Sequence, residues 1–202
     1  MMRRRDVARL LWVLLLSSGA PNRLTAQDTL PAGYGTLKRD DIVVRFATDQ
    51  IEIQVLPLTE SVTRLLAPDT YRSLEGLLKS KEKEIQDAAQ RAGLARPALV
   101  MVTFFGVVPQ ARFSPEDLNI TSQGRLFRPV AIVPLSPTWS SYQLDAREQA
   151  VAIYLFEDGI SFREGLTVSY QGQSNDSWTG VLPRLDRERA RVRARARLQQ
   201  NP

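Results

Sequence analysis

Carboxylates are the strongest acid–base groups in this chain, which holds 22 Asp and Glu residues but no histidine and no cysteine. Those two absences remove the Ser-His-Asp triad, histidine and thiolate metal sites, cysteine nucleophiles, disulfides and lipid attachment at a cysteine. Three carboxylate pairs stand out: Asp40-Asp41, Glu116-Asp117 and Glu157-Asp158. The chemistry they could carry is glycoside hydrolysis, which needs two carboxyl groups held roughly 5 to 10 Å apart across a cleft. Adjacent residues on a strand point to opposite faces, however, and each pair adjoins a turn signal or strand end, where Asp and Glu serve the backbone. Loop carboxylates also suit calcium, but no Asp-x-Asp-x-Asp spacing is present. Gly33-Tyr34-Gly35 lacks the third glycine and the preceding strand of a nucleotide loop. No catalytic residue, cofactor or metal ligand is therefore assigned.

Binding chemistry is better represented. Tyr34, Trp139, Tyr142 and Trp178 fall in or near expected loops, where aromatic side chains can anchor sugars or protein partners; the competing expectation is that they close the ends of the core. Arg189, Arg191, Arg193, Arg195 and Arg197 occupy every second position near the C-terminus. A helix would spread them around its circumference, and they are candidate contacts for an anionic surface. A solubilising tail is the simpler reading.

The elements that must position these residues begin with an export signal. Met1 to Arg9 is basic, Leu10 to Leu16 is apolar, and small residues follow, which is the layout of a removable signal peptide over residues 1–26, cut after Ala26. The apolar run is shorter than the ~20 residues a membrane-spanning helix needs. Of 202 residues, removal of 26 leaves 176, enough for one domain. The removed segment carries five arginines and one aspartate, so the formal charge falls from +5 to +1. Residues 184–202 carry seven arginines against Asp186 and Glu188, which leaves the body at about −4. An acidic body argues against nucleic-acid binding, which neutralises phosphates.

Residues 27–36 read as an extended leader punctuated by Pro and Gly. Ile42 to Ala47, the turn Thr48-Asp49, and the alternation of Ile51, Ile53 and Val55 with Glu52 and Gln54 predict a hairpin. Leu74, Leu77, Leu78, Ile85, Ala88, Ala89 and Ala92 predict one helix over about 69–92, with Asp69 as N-cap, Glu75 paired to Lys79, and Gly93 as its stop. Thr59 to Leu66 suits a short helix leading into it. Strands are expected at Leu99 to Val108, Leu118 to Thr121, Leu126 to Val133, Val151 to Glu157 and Leu166 to Gln171. A frayed, mobile helical tail follows from residue 184.

Phe113-Ser114-Pro115-Glu116-Asp117-Leu118, Gly124-Arg125-Leu126-Phe127-Arg128-Pro129, the run Val151 to Phe156, and Leu166 to Tyr170 together resemble the immunoglobulin-like β-sandwich domains of secreted bacterial proteins. The resemblance spans about residues 99–171. The long helix and the missing cysteine-tryptophan core depart from that pattern. What the resemblance implies is a binding or structural module. The expected fold class is mainly β, an immunoglobulin-like sandwich over residues 37–183 with one inserted amphipathic helix, or alternatively α+β. The expected function is that of an exported, periplasmic or secreted, non-enzymatic module that binds a protein, glycan or envelope component. A carboxylate-dependent glycan hydrolase and a structural subunit that pairs through an edge strand such as Ile42 to Ala47 are the alternatives.

Overall fold

A computed structural model of the protein describes residues 30–200. The expected signal peptide lies outside the described residues.

Thr48 closes the first hairpin. Its hydroxyl accepts hydrogen bonds from the amides of Gln50 and Ile51, so β1 (Val44–Ala47) and β2 (Ile51–Pro57) pair antiparallel with Phe46 opposite Ile53. Ile51, Ile53 and Val55 are buried, as their alternation requires. α1 (Glu60–Thr63) is a single turn. It precedes α2 (Pro68–Ser80) and α3 (Glu82–Arg91).

The expected single helix over 69–92 is thus two. Ser80 turns its hydroxyl back onto the Leu77 carbonyl at 2.7 Å, and Lys81 leaves the helical region with φ −106° and ψ 6°. Serine bonding of this kind competes with the helical ladder. Leu74, Ile85, Ala88 and Ala89 are all buried, since their spacing keeps them on one face across the break. Ala67 is the N-cap, and Asp69 instead pairs with Arg72. The stop falls where the sequence puts it. Gly93 adopts φ +69° while Leu94 donates to the Ala89 carbonyl and Gly93 to that of Gln90, a Schellman ending.

β3 (Ala98–Gly106) is the centre of the larger sheet, and β4 (Ala111–Arg112), β5 (Leu118–Ser122), β6 (Arg125–Phe127) and β7 (Ala131–Pro134) follow. One strand was expected from Leu126 to Val133. Arg128-Pro129 divides it, since proline has no amide for a ladder and restricts its neighbour, and β6 and β7 join different sheets. β8 (Gln143–Leu144), β9 (Gln149–Phe156), β10 (Leu166–Tyr170), β11 (Gln173–Asn175) and α4 (Trp178–Gln200) complete the chain.

The fold is mainly β: antiparallel sheets in the orders β1-β2-β3-β9-β7 and β11-β10-β5-β6, a small β4-β8 pair, and a C-terminal helix. Strand accounts for 32% and helix for 35%, so helices contribute more than one insertion would. On one face of the five-stranded sheet, Phe104 stacks on Phe113 at 4.8 Å and meets Tyr170 of β10, while the Tyr154 hydroxyl donates to the Pro115 carbonyl. The opposite face carries Leu99, Met101, Thr103 and Phe105 of β3, with α2 and α3 over the Leu99 end and the 3-10 turn Arg39–Asp41 by the Thr103 end.

α4 corrects the expected mobile tail. The helix begins at Trp178, runs through Pro183, and buries Leu185, Glu188, Val192 and Ala196, a stripe at helical spacing. Alternate arginines hid that stripe because they dominate the charge pattern. The leader is likewise held in place. Leu30 is buried, Arg64 donates to its carbonyl, and Leu37 bridges to Leu66. Gly35 passes so close to the segment after α1 that an added Cβ would run into the Leu65 carbonyl. Among the described residues no helix is long and apolar enough to cross a membrane.

Candidate functional site

Where α2 and α3 lean over the end of β3, they leave a groove of about 480 Å³. Its floor is apolar, built from Leu58 after β2, Leu74 and Leu78 of α2, Ile85 of α3, and Leu99 of β3. Leu74, Leu78 and Ile85 stand at i, i+4 and i+11, so all three fall on one helical face and reach the hollow across the break at Lys81. The volume is within the range of ligand pockets, about 300–1,000 Å³.

The rim is acidic. Glu60, Glu75 and Glu82 line it with a single cation, Lys79. Glu60 is paired with Arg64 at 2.7 Å and Glu82 accepts from the Gln86 amide at 3.1 Å. The Tyr71 hydroxyl reaches toward Glu75 at 3.5 Å. Its pKa is raised, first by desolvation and then by the carboxylates of Glu75 and Glu60, with Arg64 opposing. Tyr71 therefore stands as a neutral donor at the lip of an apolar hollow. Such an arrangement can take up apolar side chains and hold a cation at its edge.

The residues singled out from sequence are placed elsewhere. Trp139 and Trp178 are corrected from loop anchors to core. Trp139 is buried between Phe104, Phe113 and Tyr154, and Trp178 is fully buried against Phe162. Both rings are large enough to close an end of the core, and that burial outweighs exposure. Tyr142 is 54% exposed and packs edge-on against Phe113, so it shares a cluster with Trp139. Tyr34 is half-buried in the leader. The structure does not bring the four together.

The arginines of α4 also divide. Arg195 donates to the Tyr34 carbonyl at 2.6 Å and to buried Glu188 at 2.9 Å. Glu188 accepts in turn from the Thr36 amide and hydroxyl at 3.0 and 2.9 Å, which clasps the leader to the helix. The Arg189 side chain is only 11% exposed and pairs with Asp186. These two are thereby corrected from surface contacts to packing residues, because their guanidinium groups are held by Asp186 and by Glu188 with the Tyr34 carbonyl. Arg191 lies 3.7 Å from Glu188 but stays outward, and Arg197 is exposed. Arg193, on the same helix, is half-buried.

Each carboxylate pair has at least one member engaged by local structure. Asp40 pairs with Arg45, and Asp41 accepts from the Lys38 amide and from Arg184. Asp117 holds the Gln171 amide, Glu157 pairs with Arg125, and Asp158 accepts from the Gly159 amide. Among the described residues no three His, Cys, Asp or Glu side chains gather as a metal cluster would. The edge of β1 is also partly covered, since the Asn175 amide donates to the Arg45 carbonyl at 3.0 Å.

Sequence reasoning missed the groove. Its one available signal was the surplus of leucine on α2, where Leu77 and Leu78 widen the apolar stripe beyond what a buried face needs. Comparison with family models, with curated proteins and with solved structures finds no match.

Proposed function

We propose that this chain is an exported, non-catalytic β-sandwich module that binds a protein partner through the groove between α2, α3 and the end of β3. The observation that carries the reading is the pairing of an apolar floor with an acidic rim. That combination suits a basic amphipathic segment, whose apolar face would lie on Leu78 and Leu99 while its cations meet Glu75 and Glu82. Each carboxylate pair considered from sequence for hydrolysis includes a residue engaged by a turn or an ion pair, which supports binding over chemistry.

The test uses two labelled synthetic peptides, an amphipathic Leu/Lys helix and its Leu/Glu counterpart, with fluorescence anisotropy as the readout. The Leu/Lys peptide is expected to bind, the Leu/Glu peptide to bind at least about tenfold more weakly, and Leu78→Asp to remove binding. Equal affinity for both peptides, or none for either, contradicts the reading. Export has its own check. The intact mass of protein recovered from the periplasm or medium of an expressing bacterium should correspond to a chain that begins at Gln27. A retained N-terminus or wholly cytoplasmic protein contradicts export.

A further inference from the structure

The sheet face that bears the groove continues into a second recess, of about 420 Å³, that shares no lining residue with the first. Register builds its floor. Arg45, Gln54, Thr103 and Val151 are successive cross-strand partners on β1, β2, β3 and β9, and Phe105 opposite Gln149 forms the next row on the same face. Thr103 is only 2% exposed although it lines the recess. The Gln54 amide nitrogen donates to Glu52 at 3.0 Å, which fixes the side chain and leaves its oxygen free to accept another donor.

Arg39 stands over this floor from a 3-10 turn, Arg39–Asp41. Its Nε is buried without a hydrogen-bond partner. Burial lowers its pKa, the Asp40 carboxylate opposes that effect, and Arg45 adds to it. Asp40 is already engaged by Arg45. That Nε is closed to a ligand, but the Nη groups of Arg39 are not buried and make no hydrogen bond to another described residue, so they are the atoms that can take an incoming anion. The turn itself is held from two sides: Arg184 of α4 reaches Asp41 at 2.9 Å, and the leader just before it is clasped by Glu188.

We infer that this recess binds a small organic acid with hydroxyl groups beside its carboxylate, of the sugar-acid class. The carboxylate meets Arg39, the hydroxyls meet Gln54, Thr103 and Gln149, and an apolar ring face rests on Phe105. Planar amides and a hydroxyl on a fixed sheet suit vicinal hydroxyls, and a guanidinium fork suits a carboxylate. The inference stands apart from the groove reading.

Isothermal titration calorimetry of the purified protein with glucuronate, glucose and inorganic phosphate tests it. Glucuronate is expected to bind saturably, with glucose and phosphate each about tenfold weaker or worse. Arg39→Met should weaken glucuronate by about tenfold or more, and Gln149→Ala, at an exposed position, should weaken it several-fold without a change in melting temperature. Leu78→Asp, in the groove, should leave it unchanged. Absence of glucuronate binding, equal binding of glucose or phosphate, or a Gln149→Ala variant that binds glucuronate as tightly as the parent overturns the inference. Should Arg39→Met fail to fold, Gln149→Ala and the ligand comparison decide alone.

Discussion

The two ends of one face of the five-stranded sheet differ in what covers them. Along β3, Leu99 and Met101 pair with Leu155 and Ile153, while Thr103 and Phe105 pair with Val151 and Gln149. Two helices cover the first end and leave an apolar hollow with carboxylates at its rim. A single 3-10 turn stands by the second end, where Gln54, Thr103 and Gln149 share the floor with Met101, Phe105 and Val151. The cover matches the floor in each case: an apolar row needs the wide stripe of a helix pair, whereas a polar row needs its hydrogen bonds met. A backbone uniform in register thus yields two recesses of opposite chemistry four residues apart on the same strand.

That contrast can be broken, most severely through the clasp that fixes the polar roof. Glu188→Ala strips a buried carboxylate from Arg195 and Thr36, and unfolding by urea should show a loss of about 3–5 kcal/mol. The surviving fold should lose glucuronate binding before it loses the groove, because the leader and the Arg39–Asp41 turn move together. Ile153→Ala probes the apolar end. Ile153 is fully buried, and its truncation should cost about 2–5 kcal/mol in the same assay.

Thr103→Val, two residues along the same face on the neighbouring strand, should change stability by at most about 1 kcal/mol, since its hydroxyl makes no hydrogen bond to another described residue. If Thr103→Val destabilises as much as Ile153→Ala, the polar end is core and the contrast fails. The smallest effect concerns alkali. Burial raises the pKa of Tyr154 well above the ordinary value, followed by the influence of Tyr170 and Glu116, whereas Tyr71 at the groove is raised less. A raised tyrosine pKa favours the protonated folded form, so this support is complete below the unfolded value of about 10 and is lost as pH climbs through the folded one. Urea midpoints should fall above about pH 10, less steeply in Tyr154→Phe and almost unaltered in Tyr71→Phe.

Much of the sheet was readable from sequence. Ile51, Ile53 and Val55 alternate with polar residues, so their faces, their hairpin and even the wet position of Gln54 follow from period two. The Gly93 stop follows from a glycine at the end of an apolar stripe. What failed leaves no mark on the apolar periodicity. Leu74 and Ile85, eleven positions apart, share one face of an unbroken helix, so the stripe does not reveal the break at Ser80, whose hydroxyl bonds the Leu77 carbonyl. The docked α4 was concealed because Leu185, Val192 and Ala196 are few among arginines, and Glu188 in their stripe looks like a solvent residue until Thr36, 152 positions earlier, supplies its partners. Neither recess was legible. Each gathers residues from several elements, and Arg39 stands over Thr103 only because the leader is clasped to α4.

Whether one sheet face holds two ligands of different chemistry in separate recesses can be tested in one sample. Amide chemical shifts of the labelled protein should respond to the Leu/Lys peptide at Tyr71, Leu78 and Leu99, and then, with peptide still bound, to glucuronate at Gln54, Thr103 and Gln149. Two non-overlapping, separately saturable sets are the expected result. A single shared set, or displacement of one ligand by the other, would contradict the account.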